Sequence, residues 1–277
     1  FLADGMDAFV FIPEGQIAYG KLSQALAYGA TTIQVAGDFD AAMGLVQQVC
    51  DSEGIYLLNS VNPFRIEGQK AIVYELLQDL GWDAPDWLVL PGGNLGNSSA
   101  LGKGLLELQE LGLVSRLPRI AVVQAAGANP LYTAFRTGRD LEPVEKATTR
   151  ATAIKIGNPV SWRKSLRAIR GTDGVVTEVS EQDIFDAKAM VDRAGIGAEP
   201  ASCATVAGLR RLVREGVIPP GATVAGVLTG HLLKDPDAVV SYHTGELEGI
   251  EGRYANAPIR SEATLESVLA AVNRQPR

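Results

Sequence analysis

The chain has 277 residues, 46% of them hydrophobic and 21% charged, which supplies one large or two modest globular cores and excludes a disordered or fibrous chain. A net charge of -7 without any dense Lys/Arg tract argues against a nucleic-acid partner. Gly, Pro or charge interrupts every apolar stretch, so no membrane-spanning segment is expected. Cys50 and Cys203 lie far apart without companion ligands; no disulfide framework or metal site is expected, and a cytoplasmic location is the default. Phe1 to Asp7 lacks both the basic start and the cleavage site of a secretory signal, so the beginning reads as cut, not processed.

Strands are expected, in chain order, at Asp7–Pro13, Thr31–Gly37, Ile55–Ser60, Asp86–Pro91, Arg119–Ala126, Gly174–Ser180 and Ala222–Gly230. Helical spacing fills the intervals. Phe39, Met43, Val46 and Val49 share one face, as do Ile66, Ile72, Val73, Leu76, Leu77 and Leu80. Apolar strands alternating with helices predict a mostly parallel sheet covered on both faces. A domain boundary is expected near Asn62 to Arg65, where Asn-Pro closes one element and opens the next. Thr137 to Trp162 reads as a long surface excursion of the kind that covers a site. Ser180 with Asp183 predicts a capping box on a helix running to Ala194, and a polar, Gly-rich tail precedes a last helix from Ser261 to Asn273.

The strand ending at Pro91 runs directly into Gly92, Gly93, Asn94, Leu95, Gly96, Asn97, Ser98 and Ser99 and then a helical run. Glycines let successive N–H groups converge, and the following helix adds its positive end, so this stretch can cradle a phosphate or serve as an ordinary strand-to-helix turn. Neither the Rossmann nor the Walker spacing is present, which argues against a nucleotide. Asn59, Ser60 and Arg65 fall between a strand and a helix, where a guanidinium fork suits a phosphate dianion; a surface Arg beside capping residues is the plainer reading. His231 is expected to fix loop geometry more than to act as a base. His243 reads as an exposed loop residue without a local partner, Cys203 as a small buried hydrophobe, and Trp82, Trp87 and Trp162 as core or domain-edge packing.

Several of these segments, in this order, resemble the threonine synthase family within the tryptophan-synthase-β-like group of pyridoxal-phosphate (PLP) enzymes. Gly93-Asn94-Leu95-Gly96-Asn97 matches the family's Gly-Asn-x-Gly-Asn loop. The run from Asn59 through Val61 to Lys70 matches its substrate-phosphate segment. Thr229-Gly230-His231-Leu232-Leu233-Lys234-Asp235-Pro236 looks like its Thr-Gly-His-x-Leu-Lys-Asp-Pro motif, and Glu199-Pro200-Ala201-Ser202 like its Glu-Pro-Ala-Ser turn. Ile156 to Trp162 and Phe9 to Lys21 also read like family segments.

The resemblance implies PLP as cofactor, with Gly93, Asn94, Leu95, Gly96 and Asn97 on its phosphate and the Thr229 hydroxyl facing its pyridine nitrogen. Asn59, Ser60 and Arg65 would hold the substrate phosphate. A neutral hydroxyl at Thr229 would leave that nitrogen largely unprotonated and weaken the electron sink. The implied reaction is that of a lyase converting O-phospho-L-homoserine and water to L-threonine and phosphate. A paralogue such as a cysteate synthase acting on O-phosphoserine, or a non-catalytic remnant that only binds, are the competing expectations. The implied fold has two doubly wound α/β domains with the cofactor in the cleft between them. Residues 1–62 would be the remaining part of an incomplete smaller domain, and residues 63–277 the larger one. Homodimerisation is implied by the family alone. The family's N-terminal Ser-Phe-Lys-Asp-Arg-like and Ser-Thr-Gly-Asn-Thr-like segments have no match here, and no lysine stands in the Schiff-base context, so no catalytic residue is assigned and the isolated chain is expected to be inactive and prone to aggregate.

Overall fold

The computed structural model describes residues 5–14, 19–37, 39–60 and 62–273. Val61 and the stretch 15–18, both inside family-like segments, lie outside the described residues.

Among the described residues, two separate parallel sheets organise the chain. The smaller pairs β1 (Phe9–Pro13) with β2 (Thr31–Val35), Phe9 opposite Thr31 and Pro13 opposite Val35, with helix α1 (Tyr19–Ala27) as the crossover. Helix α2 (Phe39–Glu53) follows. The larger sheet is built from β3 (Trp87–Pro91), β4 (Arg119–Ala125), β5 (Val175–Val179) and β6 (Val224–Gly226), in the spatial order β5-β4-β3-β6. Before it come α3 (Pro63–Gln69) and α4 (Ala71–Asp79). Between its strands run α5 (Gly96–Glu110), α6 (Pro130–Thr137), α7 (Trp162–Gly171), α8 (Glu181–Arg193) and α9 (Pro200–Arg214); α10 (Pro236–Thr244) and α11 (Leu265–Asn273) follow.

Alternation along the central strands decides which helix covers which face. Leu88, Leu90, Ile120 and Val122 point into one core with Leu101 and Leu105 of α5 and Leu166 and Ile169 of α7. Their neighbours Trp87, Val89, Ala121 and Val123 point into a second core with Ile184 of α8 and Cys203, Ala204 and Ala207 of α9. A period of two buried on both sides is the signature of a strand sandwiched between helix layers, and the larger sheet has the doubly wound form that the apolar runs imply. Gly208 lets α9 approach the sheet closely, because a Cβ there would stand 2.3 Å from Val123 Cγ2.

Local signals place the helix ends. Asn62 Oδ1 accepts from the Phe64 N–H at 2.9 Å and Pro63 occupies the first turn, which starts α3. The Ser180–Asp183 capping box opens α8 as expected.

Four expectations need correction. Ile55–Ser60 is not a strand: it runs as extended coil, with Tyr56 and Leu58 exposed, and the Leu57 carbonyl accepts from Asn62 Nδ2 at 2.6 Å instead of from a neighbouring strand. The helical face from Ile66 to Leu80 is two helices, because Lys70 closes α3 and opens α4. His243 is helical, not a loop residue, and its Nδ1 accepts from the Asn256 N–H at 2.8 Å while the ring sits edge-on to Tyr242. Trp82 is left half-exposed at φ 65 in the turn after α4, whereas Trp87 is 2% exposed in the core. Among the described residues no helix is long and apolar enough to cross a membrane.

Candidate active site

The strand order fixes where a ligand can enter. The chain leaves β3 toward β4 and β5 on one side and returns through β6 on the other; α5, which follows β3, packs in the first core, and α9, which leads into β6, packs in the second. Such a switch point leaves a crevice at the carboxyl ends of the two strands. A cavity of about 250 Å³ lies there, lined by Gly93, Asn94, Leu95, Gly96 and Asn97 after β3 and by Thr229 after β6. Ser60 reaches it from the segment before α3, Arg65 and Gln69 from α3 itself, and Ala153 and Ile154 from a short 3-10 turn in the 137–162 excursion.

The loop after β3 has the form of an anion cradle. Leu95 adopts the left-handed conformation, φ 66 and ψ 14, at the N-cap of α5, and no side chain caps that end. The unpaired N–H groups of the first turn and the positive end of a 15-residue helix therefore face the cavity. A left-handed leucine costs about 1–2 kcal/mol, and burial of its side chain at 3% exposure offsets that strain. Gly93 is required by close approach: a Cβ there would stand 2.9 Å from the Ala153 carbonyl oxygen. The Asn94 side chain holds the walls together, its Nδ2 donating to Ser60 Oγ at 2.7 Å and its Oδ1 accepting from the Val160 N–H at 2.8 Å.

On the opposite wall, Thr229 is tied to the Glu199–Ser202 turn. Ser202 Oγ accepts from the N–H groups of Thr229 and Gly230 at 2.9 and 2.8 Å and lies 2.9 Å from Thr229 Oγ1. The Glu199 N–H donates to the Gly230 carbonyl at 2.9 Å. Lys188, 2% exposed, braces this turn: its Nζ donates to the Ala198 carbonyl and to Asp192, each at 2.8 Å. His231 Nδ1 accepts from the Leu233 N–H at 3.2 Å, a cap on the next turn and the geometric role expected of it. Burial pushes the Cys203 thiol up to about 12, as suits a small hydrophobe.

Of the residues singled out in the sequence, Gly93, Asn94, Leu95, Gly96, Asn97, Thr229, Ser60 and Arg65 meet in this one cavity. Asn59 does not line it. It borders an adjoining groove of about 1220 Å³, and its Nδ2 lies 2.9 Å from Met43 Sδ. Ser60 and Arg65 border both spaces. Arg65 is exposed and has no carboxylate partner among the described residues. No lysine is among the cavity's described lining residues; Lys155 borders the adjoining groove. Sequence reasoning missed Ala153 and Ile154, although their excursion reads as a site cover, named Gln69 only as part of the substrate-phosphate segment, and gave Ser202 no role of its own.

Residues 2–230 match the family model described as pyridoxal-phosphate dependent enzyme. The chain belongs to that family. It is 45% identical over 238 residues to threonine synthase of Methanocaldococcus jannaschii, covering 85% of this chain and 59% of the relative. It is 39% identical over 267 residues to the chloroplastic threonine synthase 2 of Arabidopsis thaliana, covering 96% of this chain and 52% of that one. The chain thus spans between half and two thirds of the length of these relatives. Among solved structures, threonine synthase from Escherichia coli superposes with a TM-score of 0.69 at 20% identity, covering 97% of this chain and 65% of that one. A fungal L-serine ammonia-lyase from Rhizomucor miehei gives 0.70 at 23%, covering 82% and 70%. These two likenesses show the fold, that of PLP enzymes with parallel sheets.

The cavity fits such a cofactor. Convergent backbone donors at a helix N-terminus suit its phosphate, and a hydroxyl opposite suits its ring nitrogen.

Proposed function

We propose that this chain supplies the cofactor-phosphate and substrate-phosphate sides of a threonine synthase, the lyase that converts O-phospho-L-homoserine and water to L-threonine and phosphate. The observation that carries the proposal is the single cavity in which the glycine-rich loop and Thr229 meet Ser60 and Arg65. The names of the relatives support it.

In this reading the amides of the Gly93–Asn97 loop bind the cofactor phosphate and Thr229 faces the pyridine nitrogen. When bound, PLP supplies an electron sink for carbon acids next to the amino group. Asn59, Ser60 and Arg65 bind the substrate phosphate, Asn59 from the adjoining groove. Arg65 is suited to that task because it is exposed and has no carboxylate partner among the described residues, and its planar fork matches two phosphate oxygens. Asn94 keeps the two phosphate sites in register through its bond to Ser60. Residues 1–62, with the small sheet, form part of one domain and 63–277 the other, and the enzyme works as a cytoplasmic homodimer. The 277 residues alone do not turn over, because no lysine is among the described residues that line the cavity, where one would hold the cofactor and move the α-proton.

The test is steady-state release of phosphate by the assembled enzyme from O-phospho-L-homoserine and, separately, O-phospho-L-serine. Arg65→Ala is expected to raise KM for the preferred substrate about 10-fold to 100-fold, the worth of a charge-assisted hydrogen bond. An unchanged KM would remove Arg65 from the phosphate site, and preference for phosphoserine would move the assignment to the paralogue.

A further inference from the structure

Proton bookkeeping at Ser202 yields an inference about Thr229 that rests on the cofactor reading above. A serine hydroxyl has one proton to donate and two lone pairs to accept with. At Ser202 both lone pairs are taken, by the Thr229 N–H at 2.9 Å and the Gly230 N–H at 2.8 Å. The third neighbour, Thr229 Oγ1 at 2.9 Å, must therefore receive the Ser202 proton. Ser202 is fully buried, and the hydrogen bonds its Oγ makes to described residues all go to this turn. Thr229 Oγ1 accepts from behind, so its own proton points away from Ser202, into the cavity that Thr229 lines.

We propose that Ser202 is a positioning residue that makes Thr229 an obligate hydrogen-bond donor toward the cavity. A ring nitrogen facing Thr229 must then present a lone pair, not a proton. A threonine alone would be neutral on this point, since a free hydroxyl rotates to donate to a neutral nitrogen or to accept from a protonated one. The serine behind it removes the second option. The backbone bonds that saturate Ser202 come from the same Thr229-Gly230 turn, so the loop that carries the hydroxyl also sets its polarity. The charged or titratable groups around the turn are Arg65 in the cavity, Glu199, whose buried carboxylate lies against Gly230, His231 next in sequence, the Lys188–Asp192 pair that braces the turn, and the buried Cys203 thiol beside Ser202.

The test loads the protein with PLP labelled with 15N at the ring and follows the nitrogen shift with pH. In the unmodified protein the nitrogen is expected to stay in the neutral-pyridine range across neutral pH. Ser202→Ala frees Thr229 to accept and is expected to raise the midpoint of ring protonation by about one pH unit, tenfold in proton affinity, the scale of one hydrogen bond. Should Ser202→Ala not fold, Thr229→Ala serves instead and moves the midpoint in the same direction. Weaker cofactor binding with an unmoved midpoint would make Ser202 a loop tie only and overturn the proposal. A protonated nitrogen in the unmodified protein would overturn it as well. Absence of any bound cofactor signal would refute the cofactor reading itself, and this inference with it.

Discussion

Replacing Gly93 by alanine puts a methyl carbon where the structure leaves no room. An ideal Cβ at that position stands 2.9 Å from the Ala153 carbonyl oxygen, 3.3 Å from Ile154 Cα and 3.4 Å from Ile154 Cγ2. Carbon atoms in ordinary contact stay about 3.5 Å or more apart, so the glycine-rich loop or the 153–154 turn must retreat by roughly half an ångström. Neither can do so freely. Ile154 is 4% exposed and anchored in the second core, and the loop is fixed on its other side by Asn94. Overpacking of this kind costs about 1–3 kcal/mol. Both displaced segments line the cavity, so a comparable loss should appear in cofactor binding, a fall of about 5-fold to 150-fold in affinity. Fluorescence titration with PLP and urea unfolding of the same samples would measure the two effects. Gly171→Ala is the control: at the end of α7, its Cβ would meet only Leu106 methyls at 3.9 and 4.0 Å, so it should leave affinity unchanged and add about 0.4–1 kcal/mol of stability. If Gly93→Ala bound PLP as tightly as the unmodified protein, the close approach of loop and turn would have no part in forming the site.

Three further outcomes are expected. Lys188→Met leaves Asp192 and the Ala198 carbonyl without their buried partner and should cost about 3 kcal/mol in urea unfolding; a loss under about 1 kcal/mol would show that the turn before α9 does not depend on this brace. The hydrogen bond from Lys70 holds the Glu107 carboxyl below its ordinary value of 4.5, and the same bond raises Lys70. The stability contributed by Glu107 is therefore present above its unfolded value and lost as pH falls through the lowered one, while that of Lys70 persists until pH rises past its raised value. A Glu107 titration midpoint below 4.5 by NMR, rising in Lys70→Met, is expected; a midpoint at or above 4.5 in the unmodified protein would contradict the pairing. Finally, Cys203, fully buried with its thiol pushed up to about 12, should resist alkylation at mildly alkaline pH while half-buried Cys50 reacts, and equal labelling would refute the burial.

The large sheet was legible because its strands carry unbroken apolar runs between turn residues, and Leu88, Val89 and Leu90 admit no solvated face. The run from Ile55 to Leu58 carries the same composition and was misread, since β-propensity reports a surface to pack against, not a partner strand; in the fold these residues border the larger groove. The Gly93–Asn97 cradle could be read from glycine spacing, whereas the work of Asn94 could not, because its partners Ser60 and Val160 are remote in sequence. His243 looked isolated for the same reason, its partner Asn256 lying 13 positions on. Ser202 sat inside a motif that was noticed, but its direction of donation depends on two N–H groups 27 and 28 residues away.

The pairing of β3 with β6 has a consequence for the order of assembly. Asp86 accepts from Thr223 across 137 residues, the edge that closes the sheet beside β3. Such distant pairings form slowly, since the chain between them must be ordered first. During synthesis, β3, β4 and β5 can therefore gather their helices while one flank of β3 still waits for β6. Thr229 arrives only with that last strand, so a nascent chain can complete its glycine-rich loop long before it has a pocket. Cofactor capture would then report completion of the sheet, and the same ligand would hold the latest-formed edge in place.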